Sequence, residues 1–306
     1  MKKKGLNMEQ KRSLTGWAFL LPAALLIFVF CFYPMVQALI LSFQKGTGSA
    51  VQPAGFANYA RILKDATFQQ CLFNTIFYFV IQVPIMLILA LILAQLLNSP
   101  DIKGKGIYRT MIFLPCATSL VSYSMIFKSL FANDGLVNRV LSTVGIPTVD
   151  WFQNAWAARW VIVIALVWRW TGYNMVFYLA GLQNIDYSIY EAARIDGANN
   201  WQTLWKITIP NMMSSFTICI FLTLTNGFKL FDQNLALTGG RPFLQQPDGS
   251  VIKTTEMLAL NIYSAFYSGG GNNRGVGQAK AVVFFILVAA IGLLQLQATR
   301  KKEVQQ

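Results

Sequence analysis

The stretch from Asp186 to Pro210, DYSIYEAARIDGANNWQTLWKITIP, has residue types and spacing that suit a docking surface rather than a catalytic centre. Ser188 stands three residues before Glu191, the spacing of a capping box in which each side chain satisfies an orphaned amide, so a helix is expected from about Ile189. Gly197 follows about two turns later, where a left-handed cap stops a helix. Asn199 or Asn200 then caps a second helix carrying Trp201, Leu204 and Trp205, and Pro210 suits the first turn of the next span. Ala192 and Ala193 give the first helix a small, smooth face beside the charged pair Glu191 and Arg194. By residue type alone, the same segment equally suits an interfacial loop with tryptophans at the headgroup level.

Elsewhere the chain is poor in reactive groups. It has no histidine, and its four cysteines (Cys31, Cys71, Cys116, Cys219) lie in or beside apolar segments without CxxC spacing, which argues against structural zinc and a disulfide framework. There is no GxxxxGK[ST] loop to cradle a nucleotide phosphate and no nucleophile with a neighbouring base, so an enzyme is not expected. The net charge of +13 would suggest nucleic acid in a soluble protein, but the composition redirects that reading.

Hydrophobic residues make up 55% of the 306 and charged residues only 12%, about half the ~25% of an average soluble domain. A span needs about 20 mostly apolar residues. The sequence predicts an all-α membrane protein with six transmembrane helices, at about 17–43, 72–97, 110–131, 156–182, 210–232 and 277–299. The fourth is interrupted by Arg159 and Arg169. The first is too long for a signal-peptide core of 7–15 residues and is kept as a retained helix. Lys2, Lys3, Lys4, Lys11 and Arg12 at one end, and Arg300, Lys301 and Lys302 at the other, place both tails (1–16 and 300–306) in the cytoplasm by the positive-inside rule. An even number of spans follows, and the loop 183–209 faces inward. The lipid bilayer, not nucleic acid, therefore explains the basic charge.

The outer segments Gln44–Cys71, Ala132–Ala155 and Gln233–Val276, rich in Gly, Asn and Pro, read as loops with short helices. Pro22, Pro34, Pro84 and Pro115 are expected to give local kinks without a special role. Arg169, Lys229 and Asp232 are charges within spans, which are costly and line pathways or pair between helices. Lys229 and Asp232, three apart, are expected on one helix face.

The run Glu191-Ala192-Ala193, Gly197, Ile207 and Pro210 resembles the EAA loop of ABC importer permeases (Glu-Ala-Ala, three residues, Gly, nine residues, Ile-x-Leu-Pro), departing only at Ile209. Further matches resemble the carbohydrate permeases of the maltose and glycerol-phosphate type, closest to the first of their two permease subunits. They include Phe19-Leu20-Leu21-Pro22, Asn74-Thr75, Phe113-Leu114-Pro115, Ala180-Gly181-Leu182-Gln183, Ile195-Asp196-Gly197-Ala198 and Leu237-Thr238-Gly239-Gly240. Arg241-Pro242 stands where the family often has Gly-Pro.

The resemblance implies a permease subunit of a bacterial cell-membrane ABC importer for a sugar or oligosaccharide. Its partners would be a second permease, a cytoplasmic ATPase dimer that binds the ATP, and an extracytoplasmic solute-binding protein; no cofactor is expected on the chain itself. Glu191, Ala192, Ala193, Arg194, Asp196, Gly197 and Trp201 would couple to the ATPase. Trp170, Tyr173, Thr223 and Asn226 fall near the family's sugar-lining positions, and with Trp168 and Arg169 make a candidate substrate path. Glycerol phosphate or a polyol remains an alternative cargo, since Arg169 suits a phosphate as well as a helix carbonyl. A stand-alone secondary carrier would need ion-coupling carboxylates that the spans nearly lack.

Overall fold

The computed structural model describes residues 7–46, 51–228, 230–246, 249, 251–267 and 274–300. Lys2–Lys4, Lys229 and Lys301–Lys302 lie outside them. Among the described residues four helical stretches are long and apolar enough to cross a membrane, Lys11–Ser42, Ala66–Asn98, Ala155–Gln183 and Arg274–Ala298. Two bent helix pairs raise the number to as many as six.

The first stretch consists of α1 (Met8–Ile27), a π-helical turn at Phe28–Phe32 and α2 (Tyr33–Ser42). Pro34 cannot donate a bond to the Phe30 carbonyl and its ring crowds it, and the wider π turn accommodates both effects. A small hairpin, β1 (Gln44–Lys45) with β2 (Gln52–Pro53), and α3 (Ala57–Lys64) follow. Asn58 ties this corner together by donating to the Ser42 carbonyl at 2.8 Å and the Gln44 carbonyl at 2.8 Å.

The chain divides into two compact units, residues 1–62 with 265–283, and residues 63–264 with 284–306. The second unit carries the site. Its frame is α4 (Ala66–Asn98), capped by the Asp65 carboxylate accepting from the Thr67 amide at 2.9 Å, so the helix starts well before the expected boundary at Leu72. Pro84 sits inside α4 without breaking it.

The expected third span is not one straight helix. It is α5 (Lys105–Ala117) and α6 (Leu120–Leu130), bent by 96°. Pro115 weakens the last turn of α5, and Thr118 and Ser119 are extended, so the kink expected at Pro115 is a full break. After α7 (Leu136–Thr143), the fourth stretch is one helix, α8 (Ala155–Gln183), as expected from 156–182. Asn154 caps it, accepting from the Trp156 and Ala157 amides.

Small residues bring these helices together. A Cβ at Gly172 of α8 would collide with the Ile112 carbonyl of α5. Two apolar cores result, one around Tyr78, Tyr123, Phe127, Val161 and Leu166, the other around Ala90, Ala94, Met175, Tyr178 and Cys219.

Beyond α8 come α9 (Tyr187–Ile195), α10 (Asn200–Thr203), a π turn at Leu204–Thr208, α11 (Ile209–Asn211) and α12 (Met213–Gly227). The helical run 200–211 meets α12 at 71°. Pro210 is therefore in the short turn before the bend, not in the first turn of the span, and its π turn repeats the device seen at Pro34.

The expected fifth span, 210–232, is shortened to α12, and Asp232 belongs to a separate helix, α13 (Phe231–Leu237). The expected pairing of Asp232 with Lys229 falls outside the described residues. A second hairpin, β3 (Phe243–Gln245) with β4 (Val251–Lys253), precedes α14 (Leu258–Tyr267) and α15 (Arg274–Arg300).

Residues far apart in sequence lock this hairpin down. Asn74 donates to the carbonyls of Thr254 at 2.9 Å and Glu256 at 2.8 Å. Arg159 donates Nε to Asn74 Oδ1 at 3.0 Å and Nη2 to the Thr254 carbonyl at 2.9 Å, and its guanidinium lies over Trp156. The buried Glu256 carboxylate accepts from Asn261 and Ser264 and pairs with Lys253 at 3.4 Å. The charged groups of this network are thus hydrogen-bonded, which is what makes burying them tolerable.

Candidate functional site

The loop between α8 and α12 is built from local bonds. Asp186, not Ser188, caps α9: its Oδ1 accepts from the Ser188 amide at 3.0 Å and the helix begins at Tyr187, ahead of the expected start at Ile189. A carboxylate is the stronger acceptor for an orphaned amide, so the Ser188–Glu191 box is not used. That bond holds the Asp186 carboxyl below its ordinary range.

Ala193 is buried, whereas Ala192 and Glu191 are exposed, so the two alanines do not share one face. Glu191 and Arg194 do not pair with each other. Asp196 is the exposed C-terminal cap residue of α9, and Gly197 follows at φ 76°.

The Ala198 amide reaches back to the Ala193 carbonyl at 2.9 Å and the Gly197 amide to Arg194 at 3.1 Å, closing a Schellman motif. Asn199 supplies the second cap in a reciprocal box, accepting from the Gln202 amide at 2.8 Å while its own amide donates to Gln202 Oε1 at 2.9 Å. The helix ends are satisfied locally, yet the apolar side chains are left outside: Ile195 is 85% exposed, Trp201 67% and Trp205 54%. Trp201 and Trp205 pack edge to face, with ring centroids 5.6 Å apart. A cavity of about 910 Å³ lies beside them, walled by α4, α5 and the loop, with Arg194 and Lys105 in its lining.

A separate recess of about 140 Å³ lies between α4, α8, α12 and α13. That is room for about five waters at the ~30 Å³ each takes in the liquid. Trp170 and Tyr173 from α8 stand edge to face at 5.8 Å on its wall. Thr223 and Asn226 from α12 also reach it, so four of the expected path residues converge.

Trp168 and Arg169 do not. At 100° per residue they leave α8 on other faces than Trp170. Trp168 packs at 5.4 Å on Phe127, and the Arg169 guanidinium lies 4.4 Å over the Tyr123 ring with Nε and Nη1 unpartnered.

The recess also contains residues that sequence reasoning left out, chiefly Gln82, Asn174 and Gln233. Asn174 is committed to the wall: its Oδ1 accepts from Thr223 at 3.2 Å and its Nδ2 donates to the Trp170 carbonyl at 3.0 Å. Asn174 is four residues from Trp170 on the same helix face, a spacing that could have revealed it. Gln82 and Gln233 come from helices far away in sequence and left no such signal. The arrangement, an aromatic wall with amides and a carboxylate opposite, suits stacking on the C–H face of a ring and bonding to hydroxyls. No group of three or more His, Cys, Asp or Glu that could hold a metal occurs among the described residues.

Residues 68–299 match the family described as binding-protein-dependent transport system inner membrane component. The chain is 40% identical to the lactose transport system permease protein LacF of Rhizobium radiobacter, over 97% of this chain and 98% of the relative. It is 34% identical to the arabinooligosaccharides transport system permease protein AraP of Halalkalibacterium halodurans, over 91% of this chain and 85% of that one. A chain in the crystal structure of a bacterial alginate ABC transporter with its alginate pentasaccharide-bound periplasmic protein shares the fold. The TM-score there is 0.80 at 21% identity, covering 95% of this chain and 96% of that one. The spans, the locally capped loop and these matches together make the chain a multi-pass membrane protein of the binding-protein-dependent transport system inner membrane component family.

Proposed function

We propose that the chain is the permease subunit of an ATP-binding-cassette importer that carries a sugar or oligosaccharide into the cell, with ATP hydrolysed by a partner subunit. The observation that carries this reading is the loop Asp186–Pro210, whose helices are capped from within while Ile195, Trp201 and Trp205 stay exposed. A loop that is rigid on its own and apolar on its surface suits a partner that covers it.

In this reading α9, with Glu191, Arg194 and Asp196, seats in the ATPase dimer, so both termini and the loop lie in the cytoplasm. A second permease completes the pathway, and a solute-binding protein delivers cargo from the other side. Trp170, Tyr173, Thr223 and Asn226 line the sugar's route, and Trp168 and Arg169 brace α8 rather than contact cargo. The names of the lactose and arabinooligosaccharide relatives support a saccharide cargo.

The test is ATP-driven uptake of lactose and arabino-oligosaccharides into vesicles holding the chain with its partner permease, ATPase and binding protein. Trp170→Ala is expected to lower uptake about tenfold, a loss of roughly 1.4 kcal/mol, with the complex still assembled. Glu191→Arg is expected to abolish coupled ATP hydrolysis. Full uptake in both variants would overturn the proposal.

A further inference from the structure

We infer that the cavity between the loop Asp186–Pro210 and the helix ends beside it holds the phosphate headgroup of an anionic phospholipid. The cavity lies where two spans finish, at Asn98 of α4 and Gln183 of α8, which puts it at the edge of the apolar layer. Two basic side chains, Lys105 from α5 and Arg194 from α9, belong to its lining, and no Asp or Glu does. The lining comes entirely from residues 95–105 and 182–208, all of them described. The acids of those segments are placed elsewhere. Asp101 accepts from the Ser99 hydroxyl at 3.3 Å, Asp186 accepts from the Ser188 amide at 3.0 Å, and Glu191 and Asp196 do not line the cavity.

Tyr187, Tyr190 and Arg194, at i, i+3 and i+7, turn one face of α9 to the cavity. Ile195, one step of 100° further on, stays 85% exposed, so a ligand in the cavity leaves the outer face of α9 open to a protein partner. A volume of about 910 Å³ equals that of roughly thirty waters, far more than a free phosphate fills. Leu182, Ile185 and Leu204 add apolar wall for the first methylenes of acyl chains, and the Trp201 indole in the same lining is of the type that gathers at headgroup level. Lysine and arginine donate charge-assisted bonds to phosphate oxygens, and basic pockets between membrane helices take such headgroups. A phosphodiester held by both cations ties α5 to α9 and so fastens the loop to the spans.

The experiment uses the chain assembled with its partner subunits in lipid nanodiscs that contain a photoactivatable phosphatidylglycerol, or a photoactivatable phosphatidylcholine with the same acyl chains. Labelled peptides are mapped, and label within 95–105 and 182–208 is compared with label in the apolar span Arg274–Ala298, which reports lipid in general. In wild type the phosphatidylglycerol is expected to label the cavity segments roughly tenfold or more above the phosphatidylcholine, with the two lipids nearly equal at the span. Lys105→Gln and Arg194→Gln are each expected to lower the phosphatidylglycerol label about fivefold, the effect of one cation near a membrane surface, while Lys105→Arg keeps it. Excess inorganic phosphate is expected to leave the label in place.

Equal labelling of the cavity segments by the two lipids, or a phosphatidylglycerol label unchanged by both substitutions to glutamine, would overturn the inference. The lipid comparison in wild type needs no variant, so it decides the matter even where a substitution prevents assembly. Displacement by inorganic phosphate would make the cavity a site for a soluble anion, and cavity segments without label beside a labelled span would mean that a protein partner fills it. Either result overturns the lipid.

Discussion

The loop Asp186–Pro210 and the β3–β4 hairpin are both held by hydrogen bonds, but over very different distances along the chain. In the loop each cap bond joins residues two to five apart, as between Asp186 and Ser188 or Ala193 and Ala198. At the hairpin, Asn74 reaches across 180 residues to Thr254 and 182 to Glu256, and Arg159 across 95 to Thr254. Local bonding leaves the loop's apolar side chains free to meet another molecule. Long-range bonding consumes the hairpin's polar groups and ties α4 and α8 to one arrangement. One region is built to be covered, the other to hold.

The largest effect is expected where the long-range network is cut. Asn74→Leu removes four bonds at once and leaves Arg159 Nε and the Glu256 carbonyl without these partners, while the Thr254 carbonyl keeps its bond from Arg159 Nη2. At about 1–3 kcal/mol for each buried group left unsatisfied, a loss of roughly 3 kcal/mol or more is expected. A fall in the unfolding temperature of the purified complex measures it; an unchanged value would mean that the hairpin is not a brace.

Gly197→Val comes next. No atom lies within 4 Å of the Cβ position, so the cost is backbone strain at φ 76° alone, about 1–2 kcal/mol. Binding of the ATPase subunit is expected to weaken about tenfold, with the unfolding temperature nearly unchanged, which separates the two regions cleanly.

Asn199→Ala removes one half of the reciprocal cap and is expected to cost about 1 kcal/mol, read as faster amide exchange at Gln202 and Thr203.

The smallest effect is that of pH on Asp186. Its carboxyl is held below the ordinary range by the Ser188 amide, so its contribution is complete above the unfolded value of about 3.9 and is lost as pH falls through the lower folded value. Pepsin cleavage within α9 should accelerate in that acidic window, and Asp186→Asn should remove the dependence.

This contrast also explains what was legible in the sequence. The cap at Gly197 and the second helix start at Asn199 were readable because their partners lie within a few residues. The choice of Asp186 over Ser188 was not, since both are good caps and spacing alone does not rank them. Apolar length revealed Ala155–Gln183, whereas Pro115 does not tell from the sequence whether the helix kinks or, as here, breaks by 96° at the extended Thr118 and Ser119. Motif spacing groups Trp170, Tyr173, Thr223 and Asn226, which the structure brings to one recess. Gln82 and Gln233 were missed because only the packing of α4 and α13 brings them to the recess. Trp168 and Arg169 do not line that recess, because one or two steps of 100° from Trp170 turn a side chain off the face.

The most direct measurement of the central claim places a photo-crosslinking amino acid at Ile195 or at Val251 in the assembled transporter. Crosslinks to the ATPase subunit from Ile195, and none from Val251, are the expected result. An assembled complex with no crosslink from Ile195, or with the ATPase captured at Val251, would contradict it.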